Sequence, residues 1–146
     1  MNSMTKPRSV FANATRRPIW QLLIMAVGAA LVVNVIILAL ARAINGGYPV
    51  ATIGGDEQTI GFAQVIVVTL LVGTAASSLL MRMRLWMPGS AKKTWTIIAL
   101  IVFAISLLGP LSSGVDTASK ISLLCLHIGT AVTIIPLMRS ALSAED

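Results

Sequence analysis

Two side chains in this 146-residue sequence stand out for reactivity, and both lie in one apolar run: Cys125 and His127, each the sole residue of its type. Two positions apart on a helix is about 200° of rotation, so the two face apart and share no site. A lone thiol forms neither an intrachain disulfide nor a Cys-x-x-Cys redox pair, and Cys125 is expected to be a buried small hydrophobe. A lone histidine cannot build a zinc site of the two- or three-histidine type. Nor can it supply both axial ligands of a haem within one chain, although a symmetric dimer could. No metal and no cofactor is expected.

The acids exclude further chemistry. Asp56, Glu57, Asp116, Glu145 and Asp146 all fall between or after the apolar runs. Proton- and cation-coupled transporters usually carry an ionisable group at membrane depth, and small four-helix multidrug exporters rely on a glutamate there. This chain has none. No Ser/His/Asp set can be assembled either, because depth separates the acids from His127. The residues left with hydrogen-bonding chemistry are uncharged: Asn34, Gln64 and Ser106, together with His127.

Positioning these residues falls to four apolar runs. Hydrophobic residues make up 56% of the chain and charged residues 11%, with a mean hydropathy of +0.89. A soluble domain is about one-quarter charged, so this inventory cannot build a soluble surface. The fold class predicted is all-α, an integral membrane bundle of four transmembrane helices. Spans are expected at about 19–41, 60–81, 94–111 and 118–138, each long enough for a hydrocarbon layer of about 30 Å. Residues 1–18 read as a disordered, basic cytoplasmic tail and 139–146 as a short cytoplasmic tail.

The net charge of +6 and pI near 10.5 could suggest nucleic acid. The basic residues instead flank apolar runs, as a charge asymmetry across a membrane requires, and no nucleic-acid partner is expected. Lys6, Arg8, Arg16 and Arg17 precede the first run, Arg82, Arg84, Lys92 and Lys93 separate the second from the third, and Arg139 follows the fourth. Only Arg42 and Lys120 fall on the other face. The positive-inside rule then puts both termini in the cytoplasm of a multi-pass plasma (inner) membrane protein. Thr15-Arg16-Arg17-Pro18-Ile19-Trp20 faintly echoes a twin-arginine export signal, with Ala41-Arg42-Ala43 as a conceivable cleavage site. The run between them exceeds the ~7–15 residues of a signal peptide's apolar region, so Arg16 and Arg17 read better as topology anchors.

Local signals fill in the connections. Gly46-Gly47-Tyr48-Pro49 and Gly54-Gly55 punctuate the longest loop as turns. Asp56 and Glu57 are expected at the start of the second helix, where carboxylates suit the dipole. Leu108-Gly109-Pro110 closes the third span, Asp116 can cap the fourth helix, Lys120 snorkels, and Pro136 marks the fourth helix's exit. Gly73-x-x-x-Ser77 and Gly129-x-x-x-Thr133 are small-residue pairs suited to packing within the bundle.

Threaded this way, Asn34, Gln64, Ser106 and His127 all occupy the outer half of the bilayer, one on each helix. They predict one interior cluster facing a cavity open to the outside. The plainer alternative is that isolated polar residues hydrogen-bond between helices, at about 0.6 kcal/mol each.

Thr94-Trp95, Ser106-Leu107-Leu108-Gly109-Pro110-Leu111, Leu126-His127, Ala131-Val132 and Ile135-Pro136-Leu137 resemble a family of small bacterial four-helix membrane proteins. The family is found mainly in actinobacteria and is a domain of unknown function. The resemblance implies the four-helix fold and points again at Ser106, Gly109, Pro110 and His127; it implies no substrate.

The function expected is non-enzymatic: binding a partner protein or a lipid-like ligand within the bilayer. Partners expected are membrane lipids and a homo-oligomer or membrane protein. One alternative is an oligomeric small-molecule transporter or channel. Another is a membrane redox or enzyme subunit using His127 at an outward-facing cavity.

Overall fold

The computed structural model describes residues 18–143. Its elements in order are α1 (Ile19–Asn45), β1 (Val50–Ile53), β2 (Asp56–Thr59), α2 (Phe62–Trp86), α3 (Ala91–Ser106), α4 (Leu108–Ser113) and α5 (Thr117–Ser143). Four segments are long and apolar enough to cross a membrane: α1, α2, α3 with α4, and α5. In lipid the backbone must satisfy its own polar groups, and continuous helices are how these uncharged runs do so. The helices outrun the expected spans, α1 to Asn45, α2 to Trp86 and α5 to Ser143. The basic tail expected over residues 1–18 lies, apart from Pro18, outside the described residues.

α1 ends at Gly46, whose φ of 70° is the left-handed conformation that terminates helices. α1 packs most closely on α5, then on α2, while α3 rests against α2 and α5. Two glycines set the approach to α1. A β-carbon at Gly73 on α2 would fall 2.7 Å from Val27 Cγ2, and one at Gly129 on α5 would strike Ile37. Both small-residue motifs thus serve packing inside the bundle.

The core divides by height. Ile19, Leu23, Leu80, Met83, Trp95 and Met138 form one buried cluster, which joins the start of α1, the end of α2, the start of α3 and the end of α5. Arg82, Arg84, Lys92 and Lys93 lie at this basic end. Trp20 and Trp86 are exposed there, where interfacial tryptophans belong. The second cluster, Leu38, Ala51, Val65, Leu123 and Leu126, lies toward the opposite end.

That opposite end carries a β-hairpin where turns alone were expected. Val50 pairs with Thr59 and Ile53 with Asp56, antiparallel. Gly54 and Gly55 form the two-residue loop with φ of 66° and 99°; positive φ at both positions is what a type I′ turn demands. The hairpin is pinned to the bundle. The Val50 N–H donates to Ser119 Oγ at 2.9 Å and the Val115 N–H to the Val50 carbonyl at 3.3 Å. Arg42 lies over the Tyr48 ring at 4.6 Å, and Tyr48 meets Phe62 edge-on.

Several local expectations need correction. Asp56 and Glu57 belong to β2, and the first turn of α2 has no acid. Gln64 serves that helix end instead: its Oε1 accepts from the Gly61 N–H at 3.1 Å. The third span breaks at Leu107 rather than closing straight, because Pro110 has no N–H for the Ser106 carbonyl; α4 follows as a separate turn. Pro136 lies inside α5, which continues past it. Cys125 is exposed, not buried: at about 100° per residue it turns away from the Leu123–Leu126 face toward the surroundings of the bundle.

Candidate functional site

α2 and α3 are joined at the basic end by a tight turn, in which the Met87 N–H donates to the Met83 carbonyl at 2.8 Å. Near this turn the two helices meet directly. The Trp95 indole is 1% exposed, and its Nε1–H donates to the Ala76 carbonyl at 3.4 Å. Beyond that contact the helices enclose a cavity of about 520 Å³.

Each wall has its source. α5 forms the back, with Leu123, Leu126, Ala131 and Ile134, and Asn34 reaches in from α1. The hairpin and α4 form a roof through Ala51, Ile53, Gln58, Pro110 and Ser113. Trp95 and Ala76 close the floor. The rims are Val68 and Val72 on α2 and Val102 on α3, exposed by 56%, 48% and 58%. The lining is thus exposed along the α2 and α3 side, as it is at Ile53, Gln58 and Gln64 on the hairpin side.

All four residues selected from the sequence, Asn34, Gln64, Ser106 and His127, line this cavity. Their tasks differ. The Gln64 Nε2 donates to the Thr59 carbonyl at 3.3 Å, so with its Oε1 on Gly61 the side chain clamps the start of α2. Ser106 Oγ donates to the Phe103 carbonyl at 2.7 Å. Asn34, 2% exposed, donates from Nδ2 to Thr69 Oγ1 at 2.9 Å and to Thr130 Oγ1 at 2.7 Å. That amide ties α1 to α2 and α5 at once, while its Oδ1 is buried without a partner.

His127 is the exception. Its Nδ1 lies 2.9 Å from the Leu123 carbonyl. A carbonyl can only accept, so Nδ1 carries a hydrogen, and in the uncharged tautomer that leaves the lone pair on Nε2. Nε2 has no hydrogen-bond partner and is not sealed among protein atoms. His127 is half-buried and lines the cavity.

Thr69 and Thr130 complete the polar layer and were not among the four residues selected from the sequence; Thr69 reads there only as a weak polar candidate of the inner half. The signal was present, since both recur at helical spacing on cavity-facing stripes: Val65, Thr69 and Val72 on α2, and Leu126, Thr130 and Ile134 on α5. The lining is polarised by height. Gln58, Gln64, Ser106, Ser113 and His127 lie toward the roof, Ala76, Ala99, Ile134, Ile135 and Trp95 toward the floor. Among the described residues, no group of three His, Cys, Asp or Glu side chains is placed to hold a metal ion.

Comparisons with curated proteins and with solved structures give no match. A family model does match, covering residues 14–144 and so every element of the bundle. The chain belongs to the Family of unknown function (DUF6069).

Proposed function

We propose that this protein binds a lipid-like ligand from within the bilayer, received sideways between α2 and α3. The observation that carries this reading is the half-exposed valine rim around the cavity. A site of about 300–1,000 Å³ with mainly apolar walls and few polar groups suits a small molecule. A cavity open toward hydrocarbon fills with hydrocarbon, because an empty apolar slot forfeits the dispersion contacts of its walls. The polar roof and apolar floor suit an amphiphile with its head toward the hairpin and its tail toward Trp95. From Ser106 to Trp95 along α3 is roughly 16 Å, room for a folded or partial chain.

The floor also bears on the transport alternative. A pathway through one protomer would have to pass Trp95, whose ring is sealed and hydrogen-bonded. The reading also takes the basic end as cytoplasmic, from the loop charges, in the plasma (inner) membrane.

The test is native mass spectrometry of protein extracted gently from its own membrane, run beside Ala99→Trp, which fills the cavity from α3. A lipid of defined mass on the wild type, absent from a variant of unchanged helicity, is the expected result. Identical lipid adducts on both proteins would overturn the reading.

A further inference from the structure

We propose that the ligand's head group is a hydrogen-bond donor, a neutral long-chain alcohol, and that His127 Nε2 accepts its hydroxyl. This rests on the lipid-binding reading and narrows it. The inference follows from counting which hydrogen-bonding capacities the cavity has already used.

Below the glutamines of the roof, its donors are nearly all engaged. Both hydrogens of the Asn34 amide go to Thr69 and Thr130. The Thr130 hydroxyl donates to the Leu126 carbonyl at 2.9 Å, Ser106 to Phe103, and Ser113 to the Gly109 carbonyl at 2.7 Å. The Trp95 N–H goes to Ala76. Thr69 retains a hydroxyl hydrogen, but the residue is 3% exposed and lies against Asn34. The donors that remain are the Gln58 amide and the second Nε2 hydrogen of Gln64, both on exposed side chains at the roof.

The acceptors are different. His127 Nε2 is open, and a hydroxyl that donates to a helix carbonyl, as Ser106 does, still presents lone pairs. Asn34 Oδ1 is an acceptor too, but it faces the α1–α5 contact, where a β-carbon at Gly129 would come within 3.3 Å of it. Reaching it would require the helices to part. Below the exposed roof, the acceptor that makes no hydrogen bond of its own and needs no parting of helices is therefore His127 Nε2.

Below those glutamines, a lining whose donors are taken and whose acceptors remain discriminates by chemistry. A quinone, ketone or ester presents only acceptors, which would face the Nε2 lone pair without a hydrogen between them. An alcohol supplies that hydrogen. No charged side chain lines the cavity, so the head group is uncharged. Isoprenoid alcohols and monoacylglycerols share this chemistry.

The experiment is a titration of the full chain in detergent micelles, followed by native mass spectrometry. The probes are geranylgeraniol, 1-oleoylglycerol, the methyl ether of the first, the di-O-methyl ether of the second, and decylubiquinone. One hydrogen bond predicts that an alcohol binds about five- to tenfold tighter than its own ether. The preference should vanish in His127→Phe. The alcohol with the larger preference identifies the source as isoprenoid or glyceride. Equal binding of alcohol and ether, or a quinone bound as tightly as either alcohol, would overturn the donor assignment while leaving the cavity a lipid site. A preference that survives in His127→Phe would overturn the role of His127. Failure of every probe to bind the wild type would instead sink the lipid-binding reading itself.

Discussion

Asn34 and Thr130 stand 2.7 Å apart across the α1–α5 contact, and the same amide nitrogen reaches Thr69 on α2. One side chain thereby fixes the relative height of three helices. It does so beside a cavity, with its own carbonyl oxygen unpartnered.

The balance at Asn34 can be measured. Asn34→Leu removes two interhelical hydrogen bonds of about 0.6 kcal/mol each. It also removes a buried unsatisfied acceptor, whose burial costs about 1–3 kcal/mol. These oppose one another, so stability in an SDS unfolding titration should range from nearly unchanged to about 2 kcal/mol higher. Asn34→Asp should be far worse, because a carboxylate at helix centre costs about 2.5–3.5 kcal/mol in a bilayer. The reverse ranking would show that the amide is not the interhelical tie described.

Gly73 and Gly129 should respond differently to the same change. A methyl group at Gly73 meets Val27 Cγ2 and Cγ1 at 2.7 and 2.8 Å, and a β-branched side chain has little freedom to turn away. At Gly129 the principal obstacle is the flexible end of Ile37. Overpacking typically costs about 1–3 kcal/mol, against about 1 kcal/mol gained in helix propensity. Gly73→Ala should thus lower the thermal midpoint and Gly129→Ala should leave it nearly unchanged. Restoration of Gly73→Ala by Val27→Ala would identify the clash.

Asp116 should give the fold a limited acid sensitivity. The Ser119 N–H donates to its Oδ1 at 2.6 Å, and with the Ser119 hydroxyl it holds the Asp116 carboxyl below its ordinary range. A depressed folded pKa adds stability above the unfolded value of about 3.9, and that stability is lost as pH falls through the lower folded value. Asp116→Asn keeps a capping side chain but does not titrate. Thermal unfolding below about pH 4 should therefore fall less steeply for Asp116→Asn than for the wild type; matching slopes would remove Asp116 from the account.

The orientation can be checked with single cysteines in a Cys125→Ser background. Thr52, exposed on the hairpin, and Ser90, in the turn between α2 and α3, lie at opposite ends of the bundle. Thr52→Cys should react with a membrane-impermeant maleimide in intact cells, and Ser90→Cys only after lysis. The opposite pattern would invert the topology and place the hairpin in the cytoplasm.

The sequence by itself determined that four helices span a membrane, because the bilayer imposes length and apolarity on every segment that crosses it. Depth was less legible: a fixed rise per residue put Asn34, Gln64, Ser106 and His127 in one half of the bilayer, yet Asn34 bonds to Thr69, about 7.5 Å below Gln64 along α2. Rotation was not legible. Lipid and protein interior are alike apolar, so hydropathy cannot say which face of Leu123–Leu126 turns inward, and Cys125 was misplaced for that reason. The hairpin escaped because Asp56–Thr59 is polar throughout and shows no alternation. The cue was Gly54-Gly55 between two short runs. Only tertiary structure decided that Gln64 clamps a helix end, that Asn34 joins three helices, and that His127 Nε2 is left without a partner. Those distinctions depend on which neighbouring atoms have already taken each donor and acceptor, and that is settled when the helices pack.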